Sequence, residues 1–152
     1  MNRIWTFIIS KSLSDNELNI ITETGTKFVN GWTAHEQKLT ANFEIYKNKI
    51  IIVKVNEEAT HASGCSIDKL TQFIKQLEVN FNIELLNRLL VAYKKEDEVV
   101  IVNSSKIKEL LQTNSVSENT IVYNTSVSTQ NELQNWEQPL KNTWLAKYLI
   151  SA

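Results

Sequence analysis

Lys38 to Val55, KLTANFEIYKNKIIIVKV, decides how this chain folds. In its first half Leu39, Ala41, Phe43 and Ile45 share one face while Thr40, Asn42, Glu44 and Tyr46 share the other, the period of a half-buried strand. Its second half, Ile50 to Val55, is a nearly unbroken β-branched run, which suits a more deeply buried strand. Between them Lys47-Asn48 supplies a tight turn, asparagine being able to take positive φ, so the two strands make a hairpin.

Outward from this hairpin, strands and helices continue to alternate. Arg3 to Ile9 is short, β-branched and aromatic, and reads as a first strand. Ser14-Asp15-Asn16-Glu17 is a capping box that opens a helix with Leu18, Ile21 and Phe28 on its apolar face and Gly31 near its end. After the hairpin, Ile67, Leu70, Phe73 or Ile74, and Leu77 form the stripe of a second helix. Arg88 to Tyr93 and Val99 to Val102 form a second hairpin across the charged turn Lys94 to Glu98. Ser105 to Gln112 reads as a short helix and Thr120 to Tyr123 as a short strand. Thr129-x-x-Glu132 then opens helical segments that run to the C-terminus, the last starting at Pro139. There Leu133, Trp136, Leu140, Trp144 and Tyr148 make a stripe that would cap the sheet or face a second copy in a homodimer. The order β-α-β-β-α-β-β-α-β-α implies an α+β fold, a mixed and mostly antiparallel sheet with helices packed against it, in one domain over 1–152.

Composition narrows the function. With 16 basic and 17 acidic residues dispersed along the chain and a net charge of −1, there is no field to steer a polyanion, and no nucleic-acid partner is expected. No run approaches the length of a membrane-spanning helix, the short apolar run Ile4 to Ile9 is no signal-peptide core, and no membrane partner is expected. The single cysteine excludes an internal disulfide, and a cytoplasmic location is the default. No G-x-S-x-G elbow or kinase motif is present.

Chemistry concentrates at Thr60 to Asp68, THASGCSID, where the only cysteine sits at the entrance of the second helix. A thiol there faces unpaired amides and the positive end of the helix dipole, which favours thiolate. His61 or His35 would serve as base, oriented by Asp68, Glu57 or Glu58, giving a thiol-dependent enzyme with Cys65 as nucleophile. The plainer alternative is a turn that starts a helix: Gly64 allows the turn, Ser63 or Ser66 caps, Asp68 favours the first turn, and Cys65 is a small buried residue. His35, three residues after Trp32, would then close the first helix. A third alternative needs only backbone, the amides from Gly64 to Asp68 cradling a small anionic ligand, with Trp32, Gly64 and Ser66 as contacts. Zinc could draw on His35, His61, Cys65 and a carboxylate, but the spacing is unusual and only one sulfur is present, so no metal or cofactor is assigned. Of these readings, a small-ligand-binding or protein-interaction module with its site near 61–68 is preferred, and the thiol enzyme is the alternative. The four tryptophans are dispersed in sequence and read as core rather than as a stacking platform.

Trp32-Thr33-Ala34-His35 and Ala62-Ser63-Gly64-Cys65-Ser66-Ile67-Asp68 together resemble a small family of uncharacterised bacterial proteins of about this length, from the first strand through the second hairpin. Members sometimes carry the label "ABC transporter ATPase", which implies ATP binding and hydrolysis. That activity needs G-x-x-x-x-G-K-[ST], and Trp32-Thr33 follows Gly31 where the motif requires a lysine and then a serine or threonine.

Overall fold

The computed structural model describes residues 2–58 and 60–151; Met1, Ala59 and Ala152 lie outside it. In chain order it contains β1 (Asn2–Ile8), α1 (Asp15–Asn30), β2 (Thr33–Ala34), β3 (Gln37–Lys38), β4 (Thr40–Tyr46), β5 (Ile50–Asn56), α2 (Gly64–Phe81), β6 (Leu90–Lys95), β7 (Glu98–Asn103), α3 (Ile107–Gln112), β8 (Ile121–Tyr123), α4 (Gln130–Leu133), β9 (Glu137–Pro139) and α5 (Lys147–Ser151). The α+β expectation holds, with antiparallel pairing divided among three sheets, β1-β5-β4, β2-β3 and β7-β6-β8-β9.

β5 is the centre of the molecule because its side chains are apolar on both faces. Ile51, Val53 and Val55 pack with Leu18, Ile21 and Val29 of α1 and Leu70, Ile74 and Leu77 of α2. Ile50 and Ile52, on the opposite face, meet Ala92, Val99 and Tyr123 of the four-stranded sheet. That sheet turns its own far face, Val91, Tyr93 and Val122, against Ile107 of α3 and Leu140 and Leu145 near the C-terminus. The layers are therefore helices, sheet, sheet, and a cover of short helical turns. Alternation along β4 and β5 sets this arrangement, because neighbouring strand residues face opposite layers.

The helix ends follow the expected chemistry. Ser14 accepts from the Glu17 N–H at 3.1 Å and donates its own N–H to the Glu17 carboxylate at 3.0 Å, and α1 stops at Gly31. Gly25 is the glycine that packing requires: it lies buried in the middle of α1, and a Cβ there would fall inside the Phe43 ring. Among the described residues no helix is long and apolar enough to cross a membrane.

Three expectations need correction. The segment Trp32 to Lys38 is not a helix end running into a single strand; it holds the small β2-β3 hairpin, whose two-residue turn is His35-Glu36, at φ 52° and 65°. The second charged turn is shorter than expected, since β6 and β7 extend to the pair Lys95↔Glu98 and leave Glu96-Asp97 as the turn. The C-terminal stripe is not a helix face. Pro139 ends β9, paired with Ile121 at a sheet edge where a missing N–H does no harm. Leu133 and Trp136 enter the core between the sheets, Leu140 enters the outer core, and Trp144 is 54% exposed. Compact turns reproduced the spacing of a helix without its geometry, so the stripe's residues do not share one helix face.

Candidate functional site

The helix entrance at 61–68 is held by its own serines together with Glu57 and Trp32. Ser63 caps α2, its oxygen accepting from the Ser66 N–H at 3.2 Å, while the Ser66 hydroxyl accepts from the Ser63 N–H at 2.6 Å. The Glu57 carboxylate accepts from the Ala62 N–H at 2.8 Å and lies 3.7 Å from His61 Nδ1. Trp32, 2% exposed, donates its indole N–H to the Ser66 carbonyl at 2.8 Å, which brings the W-x-A-H and A-S-G-C-S motifs together. Its ring also meets Trp5 edge-on at 5.8 Å and Phe28 at 5.3 Å, within an aromatic chain that continues to Phe73 and Phe43. Trp32 is thus an anchor inside the core, buried away from any ligand at the surface.

The remaining candidate residues do not converge. Cys65 is exposed, correcting the expectation of a buried thiol, and Asp68, Gly64 and His61 are exposed beside it. His35 sits exposed on the β2-β3 turn rather than over the last carbonyls of α1. Among the described residues no hydrogen bond or ion pair joins either imidazole to Cys65, and no group of three or more His, Cys, Asp or Glu could hold a metal. Gly64 has negative φ and open space around the position of a Cβ, so it is not there for conformational freedom or close approach. Gly25 lies within α1 and Gly31 caps it, so the chain between them is helix and not a loop able to wrap phosphates.

Concavity lies elsewhere. A half-open groove of about 730 Å³ runs between the loop Ser10–Leu13, the turn Lys47–Lys49 and the residues Asp97–Ile101 of the second hairpin. Its walls are tied together: Ile9 N–H donates to the Lys49 carbonyl at 2.8 Å, Lys49 Nζ to Ser12 Oγ at 2.9 Å, and Lys47 Nζ to the Asp97 carbonyl at 3.0 Å. Ser10 is fixed from behind by Glu84, whose N–H donates to Ser10 Oγ at 2.7 Å. The lining mixes apolar residues such as Leu13 and Val99 with Lys11, Lys47 and Lys49 and with Asp15, Asp97 and Glu98. A volume of this size lies within the usual range of about 300–1,000 Å³ for ligand sites. Sequence reading missed the groove because its three walls are far apart in the chain, and each alone is a polar turn or a short apolar strand.

A second cleft of about 300 Å³ lies beside the exposed Trp144, between Leu90, Val122, Asn124 and Asn142. Tyr123 Oη is a buried polar atom without a hydrogen-bond partner of good geometry. Burial pushes its phenol well above the ordinary value, with the nearby Tyr46 hydroxyl and Glu137 adding to the effect. Its ring is packed edge-on against Tyr46 at 5.6 Å and Trp136 at 4.9 Å, and the residue also lines this second cleft. Compared with protein-family models, curated proteins and solved structures, the chain matches none.

Proposed function

We propose that this chain is a small binding module whose ligand occupies the groove between Ser12, Lys49 and the start of β7, and that the residues of 61–68 serve to start and anchor α2. The observation that carries this reading is the contrast between a walled groove of about 730 Å³ and a helix entrance where, among the described residues, no hydrogen bond or ion pair joins either imidazole to Cys65. The thiol-enzyme alternative keeps one supporting feature, an exposed Cys65 in the first turn of α2, but it has no base within hydrogen-bonding reach among the described residues.

The test is a thermal-shift screen of fragment-sized compounds on three proteins: wild type, Ser12→Trp and Cys65→Ala. Ser12 is exposed and lines the groove, so a tryptophan there fills it without entering the core. Compounds that raise the midpoint of wild type should lose their effect on Ser12→Trp and keep it on Cys65→Ala. The opposite pattern would move the site to the helix entrance.

A further inference from the structure

The four tryptophans do not all enter the core. Trp32 and Trp136 are buried and Trp5 packs into the same cluster as Trp32, but Trp144 stays more than half exposed. Its neighbours fix its place: the Thr143 hydroxyl donates to the Leu140 carbonyl at 2.8 Å and accepts from the Leu145 N–H at 3.2 Å, and Leu145 is fully buried in the outer core. The turn that buries Leu145 thus holds the indole at the surface, beside the cleft of about 300 Å³ between the start of β6, the end of β8 and the segment 142–144. Lys147 Nζ lies 5.2 Å from the centre of this ring yet does not line the cleft, so the cation and the cleft meet different parts of the indole. The loop 124–126, which also lines the cleft, is tied down from both sides. The Asn124 N–H donates to the Trp136 carbonyl at 2.7 Å, Asn124 Oδ1 accepts from the Ser126 N–H at 3.0 Å, and the Thr125 carbonyl accepts from the Thr6 hydroxyl at 2.9 Å.

In a chain that is 22% charged, none of the residues lining this cleft is Asp, Glu, Lys, Arg or His. A phosphate, carboxylate or ammonium group would find no opposite charge there and would lose its hydration without return. The polar lining is instead Asn124, Thr125, Ser126, Gln138, Asn142 and Thr143, and buried Val91 and Val122 supply an apolar part. Much of the polar capacity is unspent. Among the described residues no hydrogen bond engages the side chains of Thr125, Ser126 or Asn142, the Asn124 amide nitrogen donates to nothing, and Gln138, whose Nε2 donates to the Asn135 carbonyl at 2.7 Å, keeps its Oε1. We infer that this second cleft binds one neutral sugar ring, the apolar C–H face of the pyranose lying on Trp144 and its hydroxyls on the amides of Asn124, Gln138 and Asn142. Each sugar hydroxyl both donates and accepts, as the amides and hydroxyls of this lining do, whereas a purely apolar ligand would leave them unpaired. A volume at the lower end of the usual range for ligand sites takes a single ring. The cleft shares no lining residue with the groove beside β7, so the inference goes beyond the binding-module reading and does not rest on what fills that groove.

The test titrates glucose, galactose and N-acetylglucosamine, then maltotriose and triacetylchitotriose, into the ¹⁵N-labelled full chain, with sodium phosphate, sodium acetate and uracil as controls. At least one sugar should shift the Trp144 indole N–H and the amides of Asn124 and Asn142 saturably, and leave those of Ser12 and Lys49 in place. Trp144→Ala should weaken that binding about fivefold or more without lowering the thermal midpoint, because the ring is exposed. Asn142→Leu keeps the indole and should also weaken binding, which keeps the test decisive if the first variant folds poorly. Tighter binding of a trisaccharide than of its monosaccharide would identify the natural source as a unit of a longer chain, and equal binding as the free sugar; both support the site. No saturable shift with any of the sugars, binding unchanged in both variants, or an equal response at Trp144 to phosphate, acetate or uracil would each overturn the inference.

Discussion

Replacing Gly25 by alanine should destabilise this protein even though it improves the helix. In an exposed helix interior, glycine to alanine gains about 0.8–1 kcal/mol. Here the added Cβ would fall inside the Phe43 ring, which is 4% exposed and held edge-on by Phe73 at 6.3 Å, so the ring has little room to retreat. Overpacking of this kind costs about 1–3 kcal/mol, and an overlap this deep belongs at the upper end. The net effect should be a loss of about 1–2 kcal/mol, which for a chain of this size lowers the thermal midpoint by about 2–8 °C. Urea and thermal unfolding followed by tryptophan fluorescence would measure it. Phe43→Leu should create space and be destabilising alone, but in its presence Gly25→Ala should become neutral or stabilising, a coupling of about 1–3 kcal/mol. A higher midpoint for Gly25→Ala, or additive effects in the double variant, would refute the packing of α1 on β4.

Gly64→Ala should be neutral or mildly stabilising, because its Cβ meets open space, whereas Ser63→Ala should cost about 1 kcal/mol through loss of the cap; urea midpoints compare them. Cys65 should be alkylated by iodoacetamide almost as readily in the folded protein as in urea, and His35→Ala or His61→Ala should leave that rate unchanged; strong dependence on either imidazole would revive the thiol-enzyme reading. Glu17 is held below its ordinary value of 4.5 by hydrogen bonds from the Ser14 backbone and side chain, so its contribution is present above that value and is lost as pH falls through the lower folded value. Glu17→Gln should therefore flatten the acid limb of a stability-against-pH curve. Tyr123→Phe removes a buried hydroxyl without a good partner and should be neutral or stabilising by thermal unfolding.

The parts legible in the sequence are those where one physical signal acts over many residues. Alternation from Leu39 to Ile45 and the apolar run Ile50 to Val55 gave the central hairpin, and the Ser14 capping box gave the start of α1. The β2-β3 hairpin was hidden because two-residue strands have no period to read, and its turn uses His35-Glu36, which carry no turn signal of their own. The C-terminal segment misled because Leu133, Trp136 and Leu140 keep helical spacing while a short helix, an edge strand and 3-10 turns send them to different cores. At the helix entrance, Ser63 was legible as a cap, but the role of Trp32 depends on a hydrogen bond between residues 34 apart in sequence, which spacing cannot show. The groove was out of reach for the same reason: Ser12, Lys49 and Val99 become neighbours only when the second hairpin packs beside the first.

Mapping bound fragments by amide chemical shifts on the ¹⁵N-labelled protein tests the location of the site most directly. We expect the perturbed amides to cluster at Ser10–Leu13, Lys47–Lys49 and Asp97–Ile101, with those of His61 to Asp68 unchanged. A cluster centred on Cys65 and lost in Cys65→Ala, with the groove silent, would contradict the reading of this chain as a binding module built around the β7 groove.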